Sequence, residues 1–169
     1  MNEQSVYDFS VTDINGKLIS LNDFKWKVLL IVNIASACGY TGQLQKMQRV
    51  YEKYQKDGLE ILAFPSNDFG EQEPLNNDEL NSFCKKEYSV TFPLFAKINV
   101  RGIDAHPLYQ YLSQKAKNGK VNSKPMWNFH KYIADRNGKV RDYFLTITAP
   151  DSSGVIKKIE LLLNEKAVS

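Results

Sequence analysis

Apolar positions along this chain change their spacing in a readable order. Tyr7, Phe9 and Val11 alternate with polar residues, and Leu18 and its neighbours resume after Asn15-Gly16, a pair that tolerates the positive φ of a tight turn. That spacing predicts an N-terminal β-hairpin. The run "KVLLIVNIAS" does not alternate, as expected of a strand covered on both faces in a parallel sheet. Leu44, Met47, Val50, Tyr51 and Tyr54 then recur at helical spacing, and Gly58 supplies a C-terminal stop. The apolar run in "LEILAFPSN" predicts a second strand and completes a β-α-β unit.

Residues 68–76, "DFGEQEPLN", read as a polar loop, after which Leu80, Phe83, Cys84 and Tyr88 share one helical face. "TFPLFAKINV" predicts a further strand, "HPLYQYLSQKAKN" a short helix opened by Pro107, and "KNGKVNSKP" a loop. "WNFHKYIADRNGKVRDYFLT" predicts two antiparallel strands turning at Asn137-Gly138, with Trp127 and Asn128 at their start. "DSSGVIKKIELLLNEK" closes the chain as an amphipathic helix with Val155, Ile156, Ile159 and either Leu162 or Leu163 inward. No repeat, low-complexity tract or linker divides the sequence, so a single domain over 1–169 is expected. A β-α-β unit followed by β-β-α is the connectivity of a thioredoxin-like α/β domain. The expected fold is a central mixed sheet flanked by helices, with the N-terminal hairpin and an inserted helix added.

A chain of 169 residues buries roughly 70% of the surface its unfolded form exposes, so it needs neither disulfides nor metal to hold a core. The net charge of +3 arises from Lys and Arg interspersed with Asp and Glu, which reads as a solvated mixed surface and not a nucleic-acid face. "MNEQSVYDFS" lacks the pattern of a signal peptide, and the longest apolar run, "VLLIV", falls far short of the ~20 residues of a membrane span. A cytoplasmic protein without stable membrane insertion is therefore expected. Two cysteines exclude a disulfide-stapled scaffold, and two histidines without clustered cysteines give no zinc pattern. No metal or cofactor is expected.

The candidate chemistry starts at Cys38, where the first core strand feeds its helix. Backbone N–H groups and the positive dipole end at a helix N-terminus favour a thiolate, the nucleophilic form. The plain alternative is a small core residue like Ala35 or Ala37. Thr41 stands where a C-x-x-C motif has its second cysteine, and either offers its hydroxyl to the sulfur or opens the helix. Cys84, on an inward helix face, reads by itself as a buried free cysteine. It bears on Cys38 only if the two can meet, since Cα atoms more than about 7 Å apart cannot be bridged without backbone movement. Gln72 lies in a loop at the carboxyl end of a strand, the edge where Cys38 also lies, and its amide can donate hydrogen bonds there. Trp127 carries an indole donor on a side chain that otherwise suits a core. Ser66, Asn67, His106 and His130 read as structural.

Taken together, "LLIVNIASACGYT", "LAFPSNDFGEQEP", "FCKKEYSVTFPLFAKINV", "AHPLY" and "WNFHKYIADRNGKV" resemble, in order and over nearly the whole chain, the glutathione peroxidase family in its cysteine-containing form. The resemblance implies a thioredoxin-like fold and reduction of hydrogen peroxide and organic hydroperoxides. It places a catalytic tetrad on Cys38, Gln72, Trp127 and Asn128. Cys84 matches the resolving cysteine of the two-cysteine branch, which implies an intramolecular disulfide reduced by thioredoxin more readily than by glutathione. The helix bearing Cys84 would then have to loosen before that bond closes.

Three positions depart from the family pattern: Asp68 where glutamine is common, Leu75 where glycine is common, and Gly42 where proline is frequent. An inward-facing Asp68 would oppose thiolate formation. The short link from Lys117 to Met126 is similar to that of the monomeric subgroup, which also takes lipid hydroperoxides. The same two cysteines would also serve a peroxide sensor relaying oxidation to a partner protein.

Overall fold

The computed structural model describes residues 4–167. The expected hairpin is present, with β1 (Ser10–Thr12) antiparallel to β2 (Leu18–Ser20) and Val11 opposite Ile19. The Asp13 carboxylate accepts the N–H groups of Asn15 and Lys17 at 2.9 Å each, and Gly16 takes φ 90°, which is why the turn needs a residue without a side chain.

The main sheet is built on β3 (Val28–Ile34) and β4 (Leu59–Pro65), parallel from Val28↔Leu59 to Ile34↔Pro65 and buried at every position. Helix α1 (Gln43–Tyr54) crosses between them, ending before Gly58 at φ 111°. Helix α2 (Asn77–Tyr88) opens on a reciprocal cap. Asn76 Oδ1 accepts the Glu79 N–H at 2.8 Å, and the Glu79 carboxylate accepts the Asn76 N–H at 3.0 Å. Helices α3 (Pro107–Ser113) and α4 (Lys115–Asn118) follow, with Pro107 in the first turn of α3. Strand β5 (Lys131–Ala134) pairs antiparallel with β3, and β6 (Val140–Phe144) with β5. The sheet order is β4-β3-β5-β6, a mixed sheet of the thioredoxin-like type.

Alternation along β3 explains its unbroken apolar run. Leu30, Val32 and Ile34 join α1 and α5 (Ser153–Asn164) in one core, while Leu29 and Ile31 join α3 and the N-terminal segment in another. Of the two leucines left open at the end of α5, Leu162 is fully buried and Leu163 only partly.

Two expectations are corrected. Residues 91–100 form no regular strand and touch their neighbours through the isolated bridges Ala63↔Leu94 and Asp13↔Phe95. Pro93 has no N–H to give, and the N–H of Lys97 goes to the side chain of Asn77 at 3.0 Å. The late hairpin starts at Lys131, not at Trp127; residues 127–129 form a turn in which Phe129 takes φ 65°.

Candidate active site

One edge of the sheet gathers the candidate residues. The carboxyl ends of parallel β3 and β4 lie side by side, so the segments that follow them, carrying Cys38 and Gln72, emerge together. Strand β5 runs the other way, so its beginning lies at the same edge and brings Trp127 and Asn128 there.

Cys38 is 9% exposed and lies in a turn stacked on the start of α1. Its carbonyl accepts the Thr41 N–H at 3.1 Å, and the Tyr40 N–H donates to its Sγ at 3.4 Å. The Thr41 hydroxyl donates to Ala35 O at 2.8 Å and accepts the Cys38 N–H at 3.0 Å. Of the two roles weighed for Thr41, the hydroxyl therefore serves neither the sulfur nor the helix N-cap, which is Gly42. It fixes the turn that holds the cysteine, and a backbone N–H supplies the hydrogen bond to sulfur.

Three contacts tie Gln72 into this edge. Its carbonyl accepts the N–H of Ala37, the residue before Cys38, at 2.9 Å. Its Oε1 accepts from Asn128 Nδ2 at 3.1 Å. A side-chain carbon built on Gly70 would lie 3.2 Å from the Trp127 ring and 3.6 Å from Gln72 Cγ, so both side chains close on one point of the chain. The Trp127 ring packs on Phe69 with centroids 5.7 Å apart. Asn128 is fully buried and its Oδ1 has no hydrogen-bond partner among the described residues.

Cys84 takes no part in this hydrogen-bonded group; it is fully buried on the inner face of α2 with Leu80, in the same core as Cys38. Burial pushes its thiol up to about 12, and the charge of Glu73 adds to the rise. Both cysteines are free thiols. The Asp68 carboxylate is engaged with the 91–100 segment, its Oδ2 accepting the Val100 N–H at 2.6 Å. Asn67 receives the Glu73 N–H at 3.0 Å, and His106 Nδ1 receives the Leu108 N–H at 3.1 Å, consistent with structural parts for both.

Sequence reasoning passed over four residues that hold the edge together. Glu73, fully buried, accepts from Ser36 N and Ser36 Oγ at 3.1 and 2.5 Å, and burial raises its pKa despite those bonds. Asn33 donates from Nδ2 to Trp127 O at 3.1 Å, Thr146 Oγ1 donates to Asn128 O at 2.7 Å, and Lys131 Nζ donates to Phe129 O at 2.6 Å. The signal for Asn33 and Lys131 is a polar residue inside a fully buried strand. Thr146 gives no such sign. Among the described residues, no cluster of three or more metal-ligating side chains occurs, and no helix is long and apolar enough to cross a membrane.

A glutathione peroxidase family model matches residues 6–113. A glutathione peroxidase from Lactococcus lactis subsp. cremoris is 46% identical over 145 residues, covering 86% of this chain and 92% of the relative. A hydroperoxy fatty acid reductase from Synechocystis sp. is 42% identical over 166 residues, covering 94% of this chain and 96% of the relative. The crystal structure of Trgpx in apo form superposes with a TM-score of 0.79 at 34% identity, covering 99% of this chain and 100% of that one.

Proposed function

The chain belongs to the glutathione peroxidase family, a peroxidase that reduces hydroperoxides with electrons from a thiol, and from that membership we propose that Cys38 is its nucleophile and that Gln72, Trp127 and Asn128 complete the site. The Cys38 thiolate attacks one peroxide oxygen. The S–O bond forms as the O–O bond breaks, and the departing oxygen takes a proton to leave as water or an alcohol. Gln72, Trp127 and Asn128 donate hydrogen bonds without carrying charge, so they stabilise sulfur and leaving oxygen at any pH near neutrality. The observation that carries this reading is the Asn128–Gln72 bond at 3.1 Å together with the Ala37–Gln72 bond at 2.9 Å, which join three distant segments beside Cys38.

Cys84 then attacks the Cys38 sulfenic acid, forming the S–S bond and releasing the hydroxyl as water. Its burial requires α2 to open first. Of the twelve residues of that helix, Leu80 and Cys84 are buried and Phe83 and Tyr88 pack partly buried against the same core, so opening has to release these four side chains. Thioredoxin reduces the resulting disulfide, with glutathione a poorer reductant. The protein acts in the cytoplasm and as a monomer, the latter reading supported by the short Lys117–Met126 link. Lipid hydroperoxides join hydrogen peroxide as substrates, in keeping with the fatty-acid hydroperoxide named for the Synechocystis relative. The test is a peroxidase assay with thioredoxin and with glutathione on wild type, Cys38→Ser and Cys84→Ala. Cys38→Ser should be inactive with both reductants, and activity that survives it would remove Cys38 from the mechanism.

A further inference from the structure

Lys131 is wholly buried, yet among the described residues no carboxylate pairs with it. Its Nζ donates to three carbonyl oxygens instead, Phe129 O at 2.6 Å and Leu145 O and Thr146 O at 3.4 Å each. An ammonium has three donors, and all three are used. An apolar side chain of the same length would fill the space without the desolvation cost, so the amine has to be explained by what it holds.

What it holds is one corner of the turn at residues 127–129. Asn33 grips the turn from β3, its Nδ2 donating to Trp127 O at 3.1 Å and its backbone carbonyl accepting the Phe129 N–H at 2.6 Å. Thr146 grips Asn128 O from the other side at 2.7 Å, and Lys131 takes the remaining Phe129 carbonyl. The Thr146 carbonyl that Lys131 also meets accepts from Nε2 of Gln43, the first residue of α1, at 2.7 Å. The turn is strained by φ 65° at Phe129, and such a conformation persists only when its surroundings over-determine it.

We propose that Lys131 is a positioning residue for peroxide reduction, its ammonium clamping the turn that presents Trp127 and Asn128 to residues 145–146 and, through Thr146, to the start of α1. This rests on Trp127 and Asn128 being site residues. Burial lowers the Lys131 amine to about 7, so the clamp weakens as pH rises through that value and a donor becomes a lone pair facing carbonyls. The surrounding groups do not mask this titration. Val32 of β3 and Phe144 of β6 lie opposite Lys131, and α1 contributes Gln43, none of which titrates. On β6, Asp142 sits opposite Ile133 and pairs with Lys158 of α5 at 3.4 Å. His130, next in the chain, is pushed down to about 4 by burial and by Lys131 and stays neutral near pH 7.

The experiment measures the rate constant for hydrogen peroxide reduction in wild type, Lys131→Met, Lys131→Arg and Asn128→Ala, from well below to well above pH 7. Each variant is expressed as a ratio to wild type at the same pH, which removes any pH dependence the proteins share. Lys131→Met should be about 10- to 100-fold slow below pH 7, with the ratio falling toward one above it. Lys131→Arg stays charged throughout, so the ratio of its rate to that of wild type should rise as pH passes through 7, and this comparison serves even if the Met variant folds poorly. A wild-type rate in Lys131→Met, or variant ratios that do not change with pH, would overturn the clamp. A slow Asn128→Ala beside a normal Lys131→Met rejects the clamp alone, whereas a normal Asn128→Ala rejects the site reading beneath it.

Discussion

Asn128 donates from Nδ2 to Oε1 of Gln72 at 3.1 Å, a bond between residues 56 positions apart in the chain. Because it occupies the acceptor end of the Gln72 amide, it leaves the Nε2 donors of Gln72 for a reacting oxygen or sulfur. Asn128→Ala removes one donor and releases another. The rate constant for peroxide reduction should fall about 100-fold, with reduction of the oxidised enzyme by thioredoxin unchanged, in stopped-flow measurements of the two half-reactions.

Thr41 holds Cys38, the proposed nucleophile, through its backbone and not its sulfur. Thr41→Val leaves the Ala35 carbonyl and the Cys38 N–H without a partner in a buried site, at a cost of about 1–3 kcal/mol. Chemical denaturation should show that loss together with a slower peroxide step, and Thr41→Ser should restore most of both.

Gly70 takes φ 62°, with the Trp127 ring 3.2 Å from where a side-chain carbon would stand. Gly70→Ala therefore combines backbone strain with displacement of the indole. Stability should drop by about 1 kcal/mol, and Trp127 fluorescence and the peroxide rate should change with it.

His130 makes stability sensitive to acid. Its folded pKa of about 4 lies below the ordinary 6.5, so between those values the unfolded chain binds the extra proton. Stability from this residue is intact above 6.5 and is lost as pH falls toward 4. The denaturation midpoint of wild type should fall across that window, and that of His130→Phe should fall less.

The fold was readable because its signals are local. The apolar runs of β3 and β4, the Asn-Gly turns and the helical face from Leu44 to Tyr54 each depend on neighbours in the chain. The 91–100 segment misled because its composition suits a strand, while Pro93 and the Asn77 bond to Lys97 are what keep it out of the ladder. Motif order singles out Cys38, Gln72, Trp127 and Asn128 as candidates, and the fold brings their segments to one edge of the sheet. Of their supports, Asn33 and Lys131 leave a trace as polar residues in buried strands, but what they hold could not be read, because Lys131, Thr146 and Glu73 act through carbonyl and backbone contacts between segments that only the folded sheet brings together. A lysine opening a strand looks solvated in sequence, and only the alternation that puts it on the face of Ile133 shows it buried.

The central claim is that Cys38 takes the oxidation and Cys84 resolves it. Non-reducing peptide mapping after treatment of the reduced protein with one equivalent of hydrogen peroxide tests it most directly. The account predicts a peptide pair joined by a Cys38–Cys84 disulfide that thioredoxin releases. Oxidised Cys38 beside a Cys84 that stays a free thiol throughout turnover would contradict it.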